Sequence, residues 1–361
     1  MAFVHNDDAA LLRGVERVLE ERRAVGLGGL VGGLECVVIN TEAANFARTV
    51  AEFLAFTGHD LAEAFEDGRR RVCVLSRPGS ADILVGARLR GDNPFAALNA
   101  APKTASLPNA RLETFVFSSP DLSRLARLQR ARGVAFLSPE VLDHPSGRFL
   151  QTAPSALTGN SIGYVQWAPG ARRAYAGPGA KALDLGLVKP DRPYLAGIGR
   201  LDHVATRVRA EERDAAILEF MGLTNYHFDF AVYVESLNSI TSVARLSADD
   251  YAQVFTSGIA PFTNLAESGP TEKFIHNYNT RAHHLAFETS NIEDAVAGLA
   301  ADGLGFISEL VGSREEGLKQ IFSQMSPTTF LVNEYIKRFD GFDGFFTKGN
   351  VTLLTKATEN Q

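Results

Sequence analysis

Thirty residues from the middle of the chain recur without a gap 170 positions later: NARLETFVFSSPDLSRLARLQRARGVAFLS at 109–138 falls on NTRAHHLAFETSNIEDAVAGLAADGLGFIS at 279–308. Each copy reads as an apolar strand, a Ser or Asn suited to capping, a helix with apolar residues three and four apart (Ile292, Val296, Leu299), then glycine and a second strand. A second pair, LECVVINT at 34–41 and LDHVATRV at 201–208, recurs at an offset of 167, and each of its strands again leads into a helical segment. The chain is therefore expected to be α+β, with two similar halves in tandem and two strand–helix–strand modules in each.

The 361 residues suffice for two such domains, and 45% hydrophobic against 22% charged residues gives material for packed cores. Pro and Gly gather over residues 168–199 with no sustained period, which places the connection between the halves there. The expected organisation is an N-terminal helix within 1–25, a first domain over 26–170, a linker over 171–199, a second domain over 200–340 and a C-terminal helix within 341–361. The glycines of GLGGLVGGLECVVIN at 26–40 miss the GxGxxG spacing and precede an apolar strand instead of following one, so no dinucleotide loop is expected. A net charge of -6 with dispersed Lys and Arg argues against nucleic acid as a partner. Cys36 and Cys73 stand far apart without a CxxC, which argues against a disulfide framework or a thiolate zinc site and fits a reducing cytoplasm. Neither a signal peptide nor a membrane span is expected, because acidic residues come before any apolar run and no run approaches about 18 residues.

The repeat also serves as an internal control, since a structural residue should recur in both copies whereas a grafted site can occupy one. His203 falls on Cys36 and His284 on Thr114, and carrying the 170 offset further sets Glu334 on Tyr164. Three potential ligands thus stand in the second half and are missing from the first. Two imidazoles and one carboxylate from three strands make the facial set that holds iron(II) while leaving positions open for substrate and dioxygen. Such a centre keeps a net positive charge, which suits an anionic chelating substrate. Consecutive strand residues face opposite sides, so His284 is taken as the ligand and His283 is expected on the opposite face or along the rim.

LDHV at 201–204, HHLAFET at 283–289 and NEYIKR at 333–338 resemble the three ligand strands of the 4-hydroxyphenylpyruvate dioxygenase family. SLNS at 236–239 resembles its substrate-pocket strand, EEGLKQIF at 315–322 its strand ending in Gln-Ile-Phe, and GFFTKGNVTLLTKATE at 344–359 its C-terminal lid helix. The likeness covers residues 200–361 and is only architectural over 26–170. It implies two tandem vicinal oxygen chelate domains, each of paired βαβββ modules curled into an open barrel, with a metal-free first domain. It implies Fe(II) at His203, His284 and Glu334, and a 2-oxo acid substrate that is decarboxylated and then hydroxylated by dioxygen without a second oxo acid. Catalytic groups beyond the ligands are not implied. By position, Asn238, Ser239, His283, Gln320, Phe322 and Asn350 look like substrate-binding residues. A homo-oligomer without nucleic-acid or membrane partners is expected.

Three departures point to a substrate other than 4-hydroxyphenylpyruvate: His283 replaces the family's amide, only 35 residues separate His284 from Gln320, and Val351 stands where the lid carries an aromatic. Benzylic hydroxylation as in hydroxymandelate synthase, extradiol ring cleavage and non-enzymatic binding of a small molecule are the alternatives the same fold serves.

Overall fold

The computed structural model describes residues 5–342 and 344–361, so positions 1–4 and 343 of the expected terminal segments lie outside the described residues. Helix α1 (Asp8–Val25) starts at Asp7, whose side chain accepts from the Ala9 amide, and stops at Gly26 in the left-handed region at φ 75. Its buried Arg22 donates to the carbonyls of Met221, Asn225 and Tyr226, which docks the helix on the second half of the chain.

The first half runs β1 (Leu34–Asn40), α2 (Phe46–Phe56), β2 (Asp60–Glu66), β3 (Arg70–Ser76), β4 (Asp82–Arg88), the one-turn α3 (Ala96–Asn99), β5 (Arg111–Ser118), α4 (Leu122–Ala131), β6 (Leu142–His144), β7 (Gly147–Gln151) and β8 (Ser161–Trp167). After β9 (Lys181–Ala182) and α5 (Pro193–Ala196) the plan repeats. The second half has β10 (Ile198–Arg207), α6 (Arg213–Leu223), β11 (His227–Val234), β12 (Ser239–Arg245), β13 (Ala252–Ser257), α7 (Pro270–Tyr278), β14 (Arg281–Thr289), α8 (Ile292–Ala301), β15 (Val311–Ser313), β16 (Leu318–Phe322) and β17 (Val332–Arg338), followed by α9 (Lys348–Ala357).

Each half is two βαβββ modules. The strand order is the same in both sheets, β6-β7-β8-β5-β1-β4-β3-β2 and β15-β16-β17-β14-β10-β13-β12-β11. Within each sheet the modules meet at an antiparallel pair, β1 with β5 and β10 with β14. The segment expected as a linker does more than connect, because β9 pairs with the edge strand β2.

Alternation along each strand divides the two faces. On β1, Val37 and Ile39 enter a core shared with the helices, whereas Cys36 and Val38 turn to the concave side. Phe65 of β2, Leu84 of β4 and Phe149 of β7 line one cavity there, so the sheet curls into an open barrel. The shared core takes residues from α1, α2, α4, α6, α8 and both sheets, and its burial at roughly 25 cal/mol per Å² is the main force joining the halves. Polar stitches fix the register. Tyr164 donates to the Leu223 carbonyl and Tyr335 to the Phe56 carbonyl, each at 2.8 Å and each reaching a helix end of the other half. Arg111 and Arg281 likewise donate to the Thr280 and Ala110 carbonyls. Gly159 makes room for this approach: it sits at φ 69, and a Cβ there would stand 2.3 Å from the Thr280 oxygen. Among the described residues no helix is long and apolar enough to cross a membrane.

The seam contains a group that titrates on acidification. His59 is buried with Nε2 3.1 Å from the Ala81 oxygen and 3.2 Å from Ser80 Oγ, and Ser80 Oγ in turn accepts from the Leu201 amide. Burial pushes the His59 pKa down to about 4. Between pH 6.5 and 4 the unfolded chain therefore binds a proton that the folded chain refuses, so stability falls as pH falls through this window and levels off below it. Urea unfolding should lose about 2 kcal/mol from this group between pH 7 and pH 4.5, and His59→Gln should flatten the slope. An unchanged slope in that variant would assign the acid sensitivity elsewhere.

Candidate metal centre

Strands β10, β14 and β17 lie side by side, and in their register Ala286 pairs with both His203 and Glu334 while His284 pairs with Ala205. This brings the three expected ligands onto one concave patch. Nε2 of His203 and Nε2 of His284 lie 3.0 and 3.2 Å from Glu334 Oε2, all three side chains are buried, and one donor atom from each falls within 4.8 Å of the others. His203 Nε2 makes no hydrogen bond despite the nearby carboxylate. A buried nitrogen left without a partner is costly, and a cation among these three atoms would satisfy it. The donor set, two imidazoles and a carboxylate, is the one suited to a non-haem iron. The surroundings also favour positive charge, because burial works against a charged His203 yet Glu334 and Asp202 outweigh it and raise its pKa to about 9. His284 is held well below the ordinary histidine value by burial, then by His283, His203 and Arg207.

The sequence matches no protein-family model and no curated protein. Among solved structures it is similar to a mutant of 4-hydroxymandelate synthase from Streptomyces coelicolor, with a TM-score of 0.67 and 17% identity over 91% of this chain and 98% of that one. It is similar as well to a xylose isomerase-like TIM barrel/4-hydroxyphenylpyruvate dioxygenase fusion protein, with a TM-score of 0.62 and 15% identity over 96% of this chain but only 56% of the fusion. A third likeness, at TM-score 0.54 and 12% identity, is to BphC, a halotolerant catechol dioxygenase, over 88% of this chain and 91% of that one. The chain has the two-domain vicinal oxygen chelate fold.

Within this vicinal oxygen chelate fold the first half holds Cys36 and Thr114 where the second holds His203 and His284, as the sequence offset implied. The third counterpart needs correction. Val116 pairs with Gly163 as Ala286 pairs with Glu334, so Gly163, not Tyr164, is the partner of Glu334, and one extra residue in the second copy moves the offset to 171 (334 less 163). Tyr164 faces the seam instead.

His283 also departs from expectation. Ala205 pairs with His284 and Thr206 with Ala282, which leaves His283 as a β-bulge and turns both rings to one side, their Nδ1 atoms 2.8 Å apart. Asp202 bulges in the same way between Leu201 and His203. Two bulges thus give each of the two candidate ligand histidines a supporting neighbour in the chain. Asp202 Oδ2 accepts from His203 Nδ1 at 2.7 Å and is gripped by Arg338. Gln361 Oε1 lies 2.8 Å from His283 Nε2; we assign that nitrogen the proton, so His283 Nδ1 accepts from His284 Nδ1. The Nε2 atoms of His203 and His284 are then the ones left facing Glu334, free to ligate a metal held there. Glu334 has its own chain of support, because Gln320 donates to Oε1 and accepts from Asn350 of α9 at 3.0 Å.

The other residues named from the resemblance divide. Phe322 packs its ring 4.7 Å from that of His284 and forms a wall, and Val351 lines the same pocket. Gln320 spends its amide N–H on Glu334, and Asn350 spends its own on Gln320. Asn350 does not cap α9; Thr347 does, accepting from the Asn350 amide. Asn238 sits in a left-handed turn and clamps the Ala260 backbone, away from the pocket. Ser239 stands behind Thr271, 3.5 Å from its hydroxyl, and Thr271 is the one that faces the pocket. Sequence reasoning did not find Arg207, which lines the pocket from β10 four residues after His203. The signal was present, since a charged residue replaces Asn40 of the first copy inside an apolar strand.

If the histidine relay holds the tautomer, His283→Phe should weaken iron(II) binding by about 10- to 100-fold, and His283→Gln, which keeps an acceptor, should restore much of the loss. Chelator competition measures this directly. Equal affinity for the wild type and His283→Phe would reduce His283 to packing.

Proposed function

We propose that the chain is an iron(II)-dependent dioxygenase, a divergent member of the 4-hydroxyphenylpyruvate dioxygenase family, that oxidatively decarboxylates and hydroxylates an aromatic or other hydrophobic 2-oxo acid. The observation that carries the substrate class is the charge beside the metal centre. Arg207 is buried and lines the pocket with His283, His284 and Glu334, and among the described residues its guanidinium makes two hydrogen bonds, to Thr358 Oγ1 at 2.8 Å and the Pro270 carbonyl at 3.4 Å. Among the described residues it has no carboxylate at ion-pair distance; Glu272, whose field reaches it, bonds the Ala210 and Gly258 amides. Burial lowers the Arg207 pKa to about 9, and an anionic substrate would relieve that cost.

When bound, iron(II) would supply the redox chemistry with dioxygen and the open positions at which a 2-oxo acid chelates. The protein's part is to hold and orient. His203, His284 and Glu334 keep their donor atoms aimed at one point, Phe322 and Phe346 wall the substrate side, and α9 covers the pocket with Val351 and Leu354. The space left is about 40 Å³, room for a water or two but not an aromatic acid. Substrate binding therefore needs α9 to move, and its return excludes water. With His283 committed to His284 and Gln361, and Val351 in the lid, 4-hydroxyphenylpyruvate itself should turn over poorly.

Anaerobic loading should give one iron per chain, and a 2-oxo acid should then raise a visible charge-transfer band that catechols do not mimic. Arg207→Gln should keep the iron and raise KM by about 10- to 100-fold, the loss of a charged hydrogen bond. Dioxygen uptake with catechols alone, or a KM indifferent to Arg207, would overturn the assignment.

A further inference from the structure

A cavity far larger than the one at the metal centre lies in the half without the candidate ligands. It measures about 560 Å³ on the concave side of the first sheet, against about 40 Å³ at the metal centre. Two features of the sequence open it. At the three ligand positions stand Cys36, Thr114 and Gly163, all smaller than the histidines and glutamate of the other copy and none carrying charge. Helix α9 fills the mouth of the second barrel, whereas among the described residues no helix covers the first. Protein interiors close voids larger than a water, and a space of this size with mostly apolar walls and a few fixed polar groups is what small-molecule sites have.

The walls and the charge balance define what would fit. Phe65, Phe95, Phe149 and Trp167 give aromatic surface, with Leu84 and Val116 between them. One ion pair faces the space: Glu113, the counterpart of His283 on the same kind of bulge, accepts from Arg88 and Asn40 and is almost fully buried. That pair cancels itself. At the rim, Arg70 and Arg148 are matched by Asp67 and Asp143. The cavity therefore offers no net charge to an ionised ligand, and such a ligand would lose its hydration there without a counter-charge in return. Arg88 uses two of its N–H groups on Glu113, and its others, with the Gln151 amide, can bond a neutral oxygen or nitrogen. We propose that the first barrel is a binding site for one uncharged aromatic molecule, separate from the metal centre and different from it in charge preference.

Trp167, the single tryptophan of the chain, lies in the wall and reports occupancy. Full-length protein titrated with N-phenyl-1-naphthylamine, an uncharged probe, should bind one equivalent saturably and quench the Trp167 emission, whereas the anionic 8-anilinonaphthalene-1-sulfonate should bind at least about tenfold more weakly. Val116→Phe, which fills the cavity, should weaken the neutral probe at least about tenfold, and Glu334→Ala should change it less than about twofold. Hydrogen exchange on the unaltered protein gives a second measurement that does not depend on variant folding: protection by the probe should centre on β1 through β8 and not on α9. Absence of saturable binding, equal affinity for the two probes, protection centred on α9, or loss on Glu334→Ala with Val116→Phe unaffected would each overturn the proposal. Because the metal centre is read separately by iron content, failure here leaves that assignment standing, and the reverse also holds.

Discussion

Glu334→Ala is expected to bring iron content to near zero and to lower turnover by at least about a thousandfold, some 4 kcal/mol of transition-state stabilisation. The size follows from geometry. Both imidazole nitrogens converge on the one carboxylate oxygen, at 3.0 and 3.2 Å, so its removal takes away the group that draws a cation to both. Two neutral imidazoles bind iron(II) weakly by comparison. His203→Ala and His284→Ala should behave alike, with circular dichroism unchanged in all three. Full iron and full turnover in any one of them would remove that residue from the centre.

Truncation after residue 343 should have the second largest effect, and of a different kind. It deletes Val351 and Leu354 from the pocket, Asn350 from its bond to Gln320, and Gln361 from its bond to His283. The three candidate ligands remain. Iron should still bind near one per chain when supplied in excess, while product formed per dioxygen consumed drops and coupled turnover falls at least about a hundredfold, because water now reaches the site and ligand support is lost. Product and dioxygen measured together decide it. Normal coupled turnover in the truncated protein would make α9 a packing helix only.

The fold was legible because it is written twice. Ungapped offsets of 170 over thirty residues and 167 over eight give matching strands and a matching helix, and comparing the two copies singled out His284 and His203 respectively. Glu334 was named as the third candidate, but its counterpart was misplaced by one residue, since an offset cannot show where a loop gains a residue. The bulges at Asp202 and His283 were invisible for a related reason: strict alternation sends neighbours to opposite faces, and only pairing across strands shows where it breaks. Asn238 and Ser239 rested on resemblance to short motifs, and their surroundings here are a backbone clamp and Thr271. Arg207 needed burial to be noticed, because a strand arginine without its neighbours reads as an ordinary surface residue.

The two tyrosines that reach across the seam bear on how the molecule comes apart. Tyr164 and Tyr335 each bond the last turn of a helix belonging to the other copy, so neither copy can fray without stripping a partner from its twin. Calorimetry should then register a single cooperative transition, not two. Whatever occupies one barrel protects both against denaturation, by RT ln(1 + [L]/Kd), and iron in the second copy and a guest in the first would lengthen each other's survival without sharing a single contact.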